Sequence, residues 1–313
     1  MKNIYIASCT DDGGIYRIET DGKSFEIKEK TSLPNPMYMT VYNKKMYVLL
    51  RSVFDGDISG MCTFNINSDG SLSSQSEIIP TKGVVACHIC ASDSGVYAVN
   101  YVSGSVIKLP DVLKIHSGRG VNPARQESPH THCVIQSPDK KYICVTDLGL
   151  DKIFFYDTDL NEKFTLSVPS GCGARHLAFS DDGKYLYCVN ELISSVSVFE
   201  YDGENSKALA TYPALPDDFK EKNLAAAIRV HNGRLYVSNR GHDSIAVFDI
   251  KGEKLELLHY IKTGSEPRDF NISGDVIVSC NMLGNSVTFY SISDGYKKIG
   301  EVEISETLCA VFD

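Results

Sequence analysis

A short pattern repeats along the chain at intervals of roughly 40 to 50 residues. Each copy is an apolar run with an aromatic or aliphatic residue three positions before a small polar one. The copies are 5–8, 97–100, 144–147, 187–190, 236–239 and 278–281, with a degenerate copy at 47–50. Short apolar strands precede and follow each copy, and turns such as 181–183 and 202–203 separate them. Alternation with a period of two excludes a helical solenoid and predicts antiparallel meanders of about four strands.

A strand repeat of this length is typical of a β-propeller. The strands at 3–7 and 14–19 lack a preceding inner strand, and 307–312 is a lone strand with nothing after it. We therefore expect the two ends to complete one blade, which removes exposed sheet edges. The prediction is an all-β fold: one domain, 1–313, with seven four-stranded antiparallel blades.

Two proline-containing segments, 111–127 and 212–223, interrupt the repeat. For the second we predict a short helix that begins at Asp217. Extra length in a tightly repeated scaffold usually serves a function, so both segments are candidates for functional loops.

Charge and hydropathy narrow the possible partners. The formal net charge of −9 at pH 7 argues against a nucleic-acid partner. The apolar runs are far shorter than the roughly 18 residues of a membrane span, and the run at 4–7 is too short for a signal peptide. Most of the ten cysteines lie in apolar strand-like runs. We therefore expect a cytoplasmic protein with no membrane partner; its oligomeric state is not readable from the sequence.

Polar motifs are predicted to meet at one rim of the propeller, because a strand that enters the channel is followed by one that returns. The entering strands carry SPHTH at 128–132, GCGARH at 171–176 and SEPRD at 265–269. The returning strands end in DLG at 147–149, NE at 190–191, NRGH at 239–242 and Asn281. His130 and His132 are two positions apart and are expected on the same face. Asp147, Asn190 and Asn281 could equally cap turns.

Several arginines and histidines that converge on one channel of an acidic protein would repel each other. An anionic ligand, or the carboxylates Glu191 and Glu266 between them, would relieve this repulsion. The sequence therefore predicts an anion-binding site at the rim. His88 could also line the channel, but packing is the favoured interpretation. The same holds for Cys87 and Cys90, whose side chains would face opposite sides of a strand.

Four segments resemble the lactonase family of seven-bladed propellers: SPHTH at 128–132, GCGARHLAFSDDGKYLYCVNE at 171–191, LYVSNRGHDSIAVF at 235–248 and EPRDFNIS at 266–273. That family includes the cycloisomerase-type 6-phosphogluconolactonase and is similar to the fungal carboxymuconate lactonizing enzyme. The resemblance spans nearly the whole chain and is strongest over 128–289. It implies an active site at His132, Arg175, Glu191 and Arg240. Ala174 stands where many relatives have proline.

The resemblance implies a lactone hydrolase that acts on a small anionic lactone of a sugar acid. Glu191 or His132 would be the base that activates water, and Arg175 and Arg240 would stabilise the oxyanion. Substrate binding is expected to involve Arg268 with His176 or His242, together with His130 and Asn239. No metal or other cofactor is required. A lactonizing cycloisomerase and a non-catalytic propeller that binds a metabolite or a protein remain alternatives.

Overall fold

Seven antiparallel sheets form a β-propeller in the computed structural model, which describes residues 2–313. Blade 1 joins the two ends of the chain. In spatial order it contains β29 (Thr307–Phe312), β1 (Lys2–Ser8), β2 (Gly14–Thr20) and β3 (Phe25–Ser32). The predicted closure of the propeller by both termini is confirmed.

The other blades follow in chain order, each beginning with its inner strand. Blade 2 has β4 (Pro36–Tyr42), β5 (Lys45–Phe54), β6 (Ile58–Ile66), β7 (Leu72–Ser73) and β8 (Ile79–Val84); blade 3 has β9 (Ala86–Ser92), β10 (Gly95–Asn100), β11 (Ser105–Lys108) and β12 (Val112–Ile115). Blade 4 has β13 (Thr131–Gln136), β14 (Ile143–Asp147), β15 (Lys152–Tyr156) and β16 (Glu162–Ser167); blade 5 has β17 (Ala174–Phe179), β18 (Tyr185–Asn190), β19 (Ser195–Glu200) and β20 (Lys207–Pro213). Blade 6 has β21 (Leu224–His231), β22 (Arg234–Arg240), β23 (Ser244–Lys251) and β24 (Lys254–Lys262); blade 7 has β25 (Pro267–Ser273), β26 (Val276–Asn281), β27 (Ser286–Ser291) and β28 (Lys297–Glu303).

Burial decreases from the second strands to the outer strands of the blades. All five residues of β14 are buried, whereas almost every residue of β20 is exposed. A central strand is covered on both faces by neighbouring blades and therefore reads as a continuous apolar run, while an outer strand faces water. This difference explains why the second strands carry the clearest copies of the sequence repeat.

The inner strands form a closed ring. Each contacts the inner strand of the next blade, and β29 contacts both β25 and β4. The fourth position of blade 2 is divided, because β7 and β8 both pair with β6. The predicted architecture of seven four-stranded blades is otherwise confirmed.

The prediction of a short helix at Asp217 is wrong, because residues 217–218 form a turn. Within residues 2–313 the one helical element is a single 3-10 turn, Asp55–Asp57. No helix in this part of the chain is long and apolar enough to span a membrane.

Candidate active site

A cavity of about 470 Å³ opens at one end of the channel. Two rings of residues contribute most of its lining. The first ring comes from the inner strands and consists of Leu308, Met37, Cys87, His132, Arg175 and Arg268. The second lies at or near the ends of the second strands and consists of Cys9, Arg51, Tyr101, Glu191, Arg240 and Met282. Val85, Val102, Arg125, Leu224 and Glu306 complete the lining of this central cavity.

Each residue of the first ring is the extra residue of a β-bulge. In blade 4, Thr131 pairs with Asp147 and Cys133 pairs with Thr146, so His132 has no partner residue across the ladder. The same irregularity leaves Arg175 in blade 5 and Arg268 in blade 7 without a partner residue on the neighbouring strand. A bulge inserts one residue into a strand and redirects its side chain. The repeated bulge thus supplies side chains from six of the seven inner strands to the cavity.

The bulge also explains why His130 and His132 do not share a face. Simple alternation predicts that they do, but the irregularity falls between Thr131 and Cys133. The ring of His130 stacks on Tyr101, and its Nε2 lies 3.1 Å from Oε1 of Glu127. His132 lines the central cavity, whereas His130 does not.

Each residue of the second ring comes directly after the position that ends a copy of the sequence repeat. The repeat residues themselves are buried and bonded within the blades: Nδ2 of Asn190 donates to Ser195 and Ser197, and Nδ2 of Asn281 donates to Ser286 and Thr288. Oδ1 of Asp147 accepts from the amide of His130. Asp147, Asn190 and Asn281 are therefore structural, and the next residue reaches the cavity in all but one complete repeat.

Glu191 lies at the centre of a cluster of guanidinium groups. Its Oε2 accepts from Nε of Arg175 at 2.8 Å and lies 3.0 Å from Nη2 of Arg240. Its Oε1 accepts from Nη2 of Arg125 at 2.5 Å. Three arginines from three separate parts of the chain thus converge on one buried carboxylate.

These contacts determine the ionisation of the cluster. Burial by itself would raise the pKa of Glu191, but the charges of Arg240 and Arg175 outweigh it and lower that pKa far below the usual range. Burial lowers the pKa of Arg240 to about 10, although Glu191 opposes this shift. Burial and the nearby charge of Arg175 lower the pKa of Arg268. At neutral pH Glu191 is therefore ionised and Arg240 keeps its charge.

His132 is neutral at the same pH. Burial and the charge of Arg175 lower the pKa of its imidazole well below 6.5. Its Nδ1 lies 4.0 Å from Sγ of Cys87, whose thiol donates toward the backbone oxygen of His132. Burial raises the pKa of this thiol to about 12, so Cys87 stays protonated. The cavity therefore contains an uncharged imidazole beside a cluster of cations.

The central cavity is strongly positive in an acidic protein. Five arginines line it, against the two carboxylates Glu191 and Glu306. Among the described residues, no carboxylate oxygen lies within 4.0 Å of the side-chain nitrogens of Arg51 or Arg268. Nη1 of Arg175 and Nε of Arg240 are buried without a hydrogen-bond partner in this part of the chain, although Nε of Arg240 lies 4.0 Å from Glu266. These donors can receive an anion or a developing negative charge.

Like His130, three other residues that were predicted to bind substrate do not line the central cavity. His176 is deeper in the channel, where its ring meets those of His88 and His132 at centroid distances of 5.1 and 5.2 Å. Nδ1 of His242 lies 2.7 Å from Ser244, and its ring contacts Phe219 and Tyr260. Nδ2 of Asn239 donates to the carbonyl of Ala214. The structure brings together His132, Glu191, Arg175, Arg240 and Arg268.

Arg125, Arg51 and Tyr101 line the cavity but were not identified from the sequence. Arg51 and Tyr101 occupy the repeat position that Glu191 and Arg240 also occupy, so alignment of the repeats could have found them. Arg125 comes from the irregular segment 111–127, and no periodic signal predicts where it lies.

Comparison with known proteins identifies the family of this chain. The family model described as "Lactonase, 7-bladed beta-propeller" matches residues 3–311. An uncharacterized protein of Staphylococcus aureus is 32% identical, and the alignment covers 100% of both chains.

Two solved structures have the same fold. A candidate 6-phosphogluconolactonase of Bacteroides uniformis has a TM-score of 0.90 at 24% identity, with 100% of this chain and 99% of that chain covered. A periplasmic gluconolactonase of Pseudomonas aeruginosa has a TM-score of 0.88 at 24% identity, with 99% and 98% covered. The match of the family model over nearly the whole chain identifies this protein as a member of the lactonase family of seven-bladed β-propellers.

Proposed function

We propose that this protein hydrolyses a lactone of a sugar acid in the central cavity, with 6-phosphogluconolactone as the first substrate to test. The observation that carries the proposal is a neutral His132 beside the guanidinium groups around Glu191. Membership of the lactonase family supports the reaction class. The gluconolactonase names of two proteins with the same fold support the choice of substrate.

In the proposed reaction His132 is the general base. It accepts a proton from the attacking water, whose oxygen forms a bond to the ring carbonyl carbon. The carbonyl oxygen becomes an oxyanion, which Nη1 of Arg175 and Nε of Arg240 can receive because both are buried without a partner in residues 2–313. The ester bond then breaks, and the ring oxygen leaves with the proton returned by His132. The product is an open hydroxy acid.

Glu191 has a positioning role in this proposal. Both oxygens of Glu191 already bind guanidinium groups, so this carboxylate has less capacity to accept a proton from water than the imidazole of His132. Its two oxygens hold Arg175, Arg240 and Arg125 in fixed orientations. Preorganised donors of this kind stabilise a transition-state charge without reorienting during the reaction.

Arg268 and Arg51 are proposed to bind the anionic group of the substrate. Both guanidinium groups line the cavity, and neither has a carboxylate partner within 4.0 Å among residues 2–313. A guanidinium can bind a phosphate or a carboxylate through two parallel hydrogen bonds. This geometry fits a phosphorylated sugar lactone and a carboxylated lactone alike, so the substrate panel must include both.

The test is acid release in a pH-stat on 6-phosphogluconolactone, gluconolactone and a carboxymuconolactone, with an enzyme-free blank for spontaneous hydrolysis. We expect the parent to open at least one lactone and to prefer an anionic one. Formation of a lactone from a carboxymuconate, without hydrolysis of any lactone, would identify a cycloisomerase. Binding of these compounds without turnover would identify a non-catalytic protein.

We also propose that the protein works in the cytoplasm. The ten cysteines are all free, and nine of them are buried. Unpaired thiols in this number fit a reducing compartment.

A further inference from the structure

A second cavity lies on the side of the propeller, between blades 3 and 4. Its volume is about 510 Å³, which is within the usual range for small-molecule sites. It is lined by the outer strand of blade 3, the third strand of blade 4 and residues 116–119, which begin the irregular part of the 111–127 segment. The proposed lactone chemistry makes no use of this groove, which we call the lateral groove.

The walls of the lateral groove are cationic. Lys114, Arg119 and Lys152 line it with a single carboxylate, that of Glu162. Within residues 2–313, none of the three cations has a carboxylate oxygen within 4.0 Å of its side-chain nitrogens. Several lysines elsewhere in the chain do have such a partner, for example Lys108 with Asp159 at 2.8 Å. Three unpaired cations around one cavity can receive an anion.

The floor of the lateral groove is aromatic. Lys152, Phe154 and Tyr156 alternate along β15, so their side chains share one face. The ring of His116 lies against Phe154 with a centroid distance of 4.0 Å. Leu150 and Leu160 complete an apolar base beneath the cations. An aromatic ring of a ligand would gain dispersion and stacking contacts on this floor.

Hydrogen bonds to both ring nitrogens hold His116 in the floor of the lateral groove. Nδ1 of His116 lies 2.6 Å from Oδ2 of Asp147, and its Nε2 lies 2.8 Å from the hydroxyl of Tyr156. Oδ1 of the same Asp147 accepts from the amide of His130 in the adjacent inner strand. A fully bonded His116 fixes the aromatic surface in place, so a ligand need not order it on binding.

We propose that the lateral groove is a second binding site, for a small molecule that joins an aromatic ring to a phosphate or carboxylate group. The ring would lie on Phe154 and His116, and the anionic group would reach Arg119 and Lys152. This proposal goes beyond the lactonase function and does not depend on it, because no residue lines both cavities.

Phenyl phosphate is a suitable probe, with inorganic phosphate as the ring-free comparison. The titration uses the full chain carrying Arg51→Ala and Arg268→Ala, which weakens anion binding in the central cavity. We expect phenyl phosphate to bind at least about tenfold more tightly than inorganic phosphate, because stacking adds to the charge contacts. Adding Arg119→Ala and Lys152→Ala should weaken its binding by about tenfold or more. The exposed pair Lys254→Ala and Lys297→Ala is the matched control and should leave the affinity unchanged.

A footprint of the unmodified parent avoids any dependence on variants. Phenyl phosphate should protect Lys114 and Lys152 from acetylation, as read by mass spectrometry, and should leave Lys254 reactive. The proposal is overturned if the affinity is the same with and without the Arg119 and Lys152 substitutions. It is also overturned if neither lysine is protected at saturating probe, or if inorganic phosphate binds as tightly as phenyl phosphate.

Discussion

Nε of Arg175 and Oε2 of Glu191 lie 2.8 Å apart, which ties the bulge of one strand in blade 5 to the end of the next strand. The same oxygen lies 3.0 Å from Arg240 of blade 6, and the other oxygen is bonded to Arg125. A carboxylate in this position balances charges that would otherwise repel each other. This engagement of both oxygens is why we propose His132, whose imidazole is neutral at pH 7, as the base.

Replacing His132 by Asn should lower the turnover of a lactone by roughly two to four orders of magnitude, the usual scale of general-base catalysis. Substrate KM should change much less, because the arginines that bind the anion remain. Steady-state kinetics on the best lactone from the panel measures both values. His259→Asn on an exposed outer strand is the matched control. Near-normal turnover of the His132 variant would move the base to another residue.

Replacing Glu191 by Gln should lower the free energy of unfolding. Three guanidinium groups lose their shared carboxylate, and breaking a buried ion pair from one side costs about 3 to 5 kcal/mol. Chemical denaturation measures this loss, and added citrate should recover part of it by replacing the charge. Turnover should also fall, but the acid limb of the pH–rate profile should persist, since His132 still titrates. Disappearance of that limb with unchanged stability would instead identify Glu191 as the base.

Acid should destabilise the protein below about pH 6.5, the pKa of an unperturbed histidine. Burial lowers the pKa of His88 to about 3 and also lowers the pKa values of His132 and His176. The unfolded chain therefore binds protons that the folded chain does not, so folding stability falls as the pH falls from 6.5 toward the folded-state values. Each histidine contributes a slope of up to about 1.4 kcal/mol per pH unit. Urea denaturation between pH 7 and 4 measures the slope. Stability that is flat over this range would contradict the burial of the three imidazoles.

Small anions should raise the Tm by binding in the central cavity. Citrate or phosphate at 100 times its Kd would stabilise the folded state by about 2.7 kcal/mol. The double variant Arg51→Ala, Arg268→Ala should show a clearly smaller shift, because these cations have no carboxylate partner among residues 2–313. Lys254→Ala, on the outer strand of blade 6, is the control for a lost surface charge. An equal shift in the double variant would place the anions at another site.

The closure of the propeller ring should depend on the C-terminal strand β29. β29 pairs with β1, and its residues Thr307 to Val311 are buried. Deleting 307–313 exposes the edge of β1 and should leave the protein insoluble or lower its Tm by about 10 °C or more. Deletion of Asp313 alone is the control. A truncated chain that melts like the parent would contradict the role of this strand.

Local periodicity was sufficient to predict the architecture. The polar residue that ends each second strand and the apolar alternation around it recur within one meander, so seven blades and their closure could be read without any long-range contact. The same pattern placed Arg175 and Glu191 on one hairpin, where the structure has them. The helix at Asp217 failed because polar and proline-containing segments carry no periodic signal.

The composition of the cavity required the tertiary structure. Bulges break the strict alternation of a strand, so the sequence could not separate His132, which faces the cavity, from His130, which does not. Arg125 reaches Glu191 from 66 residues away because blades 4 and 5 pack side by side. The amino-acid sequence by itself determined the repeat, the blade count and the position of polar residues at one rim. Only the folded ring decided which of them share a buried, low-dielectric cavity, since the pKa shifts of Glu191 and His132 arise from charges and burial that neighbouring blades supply.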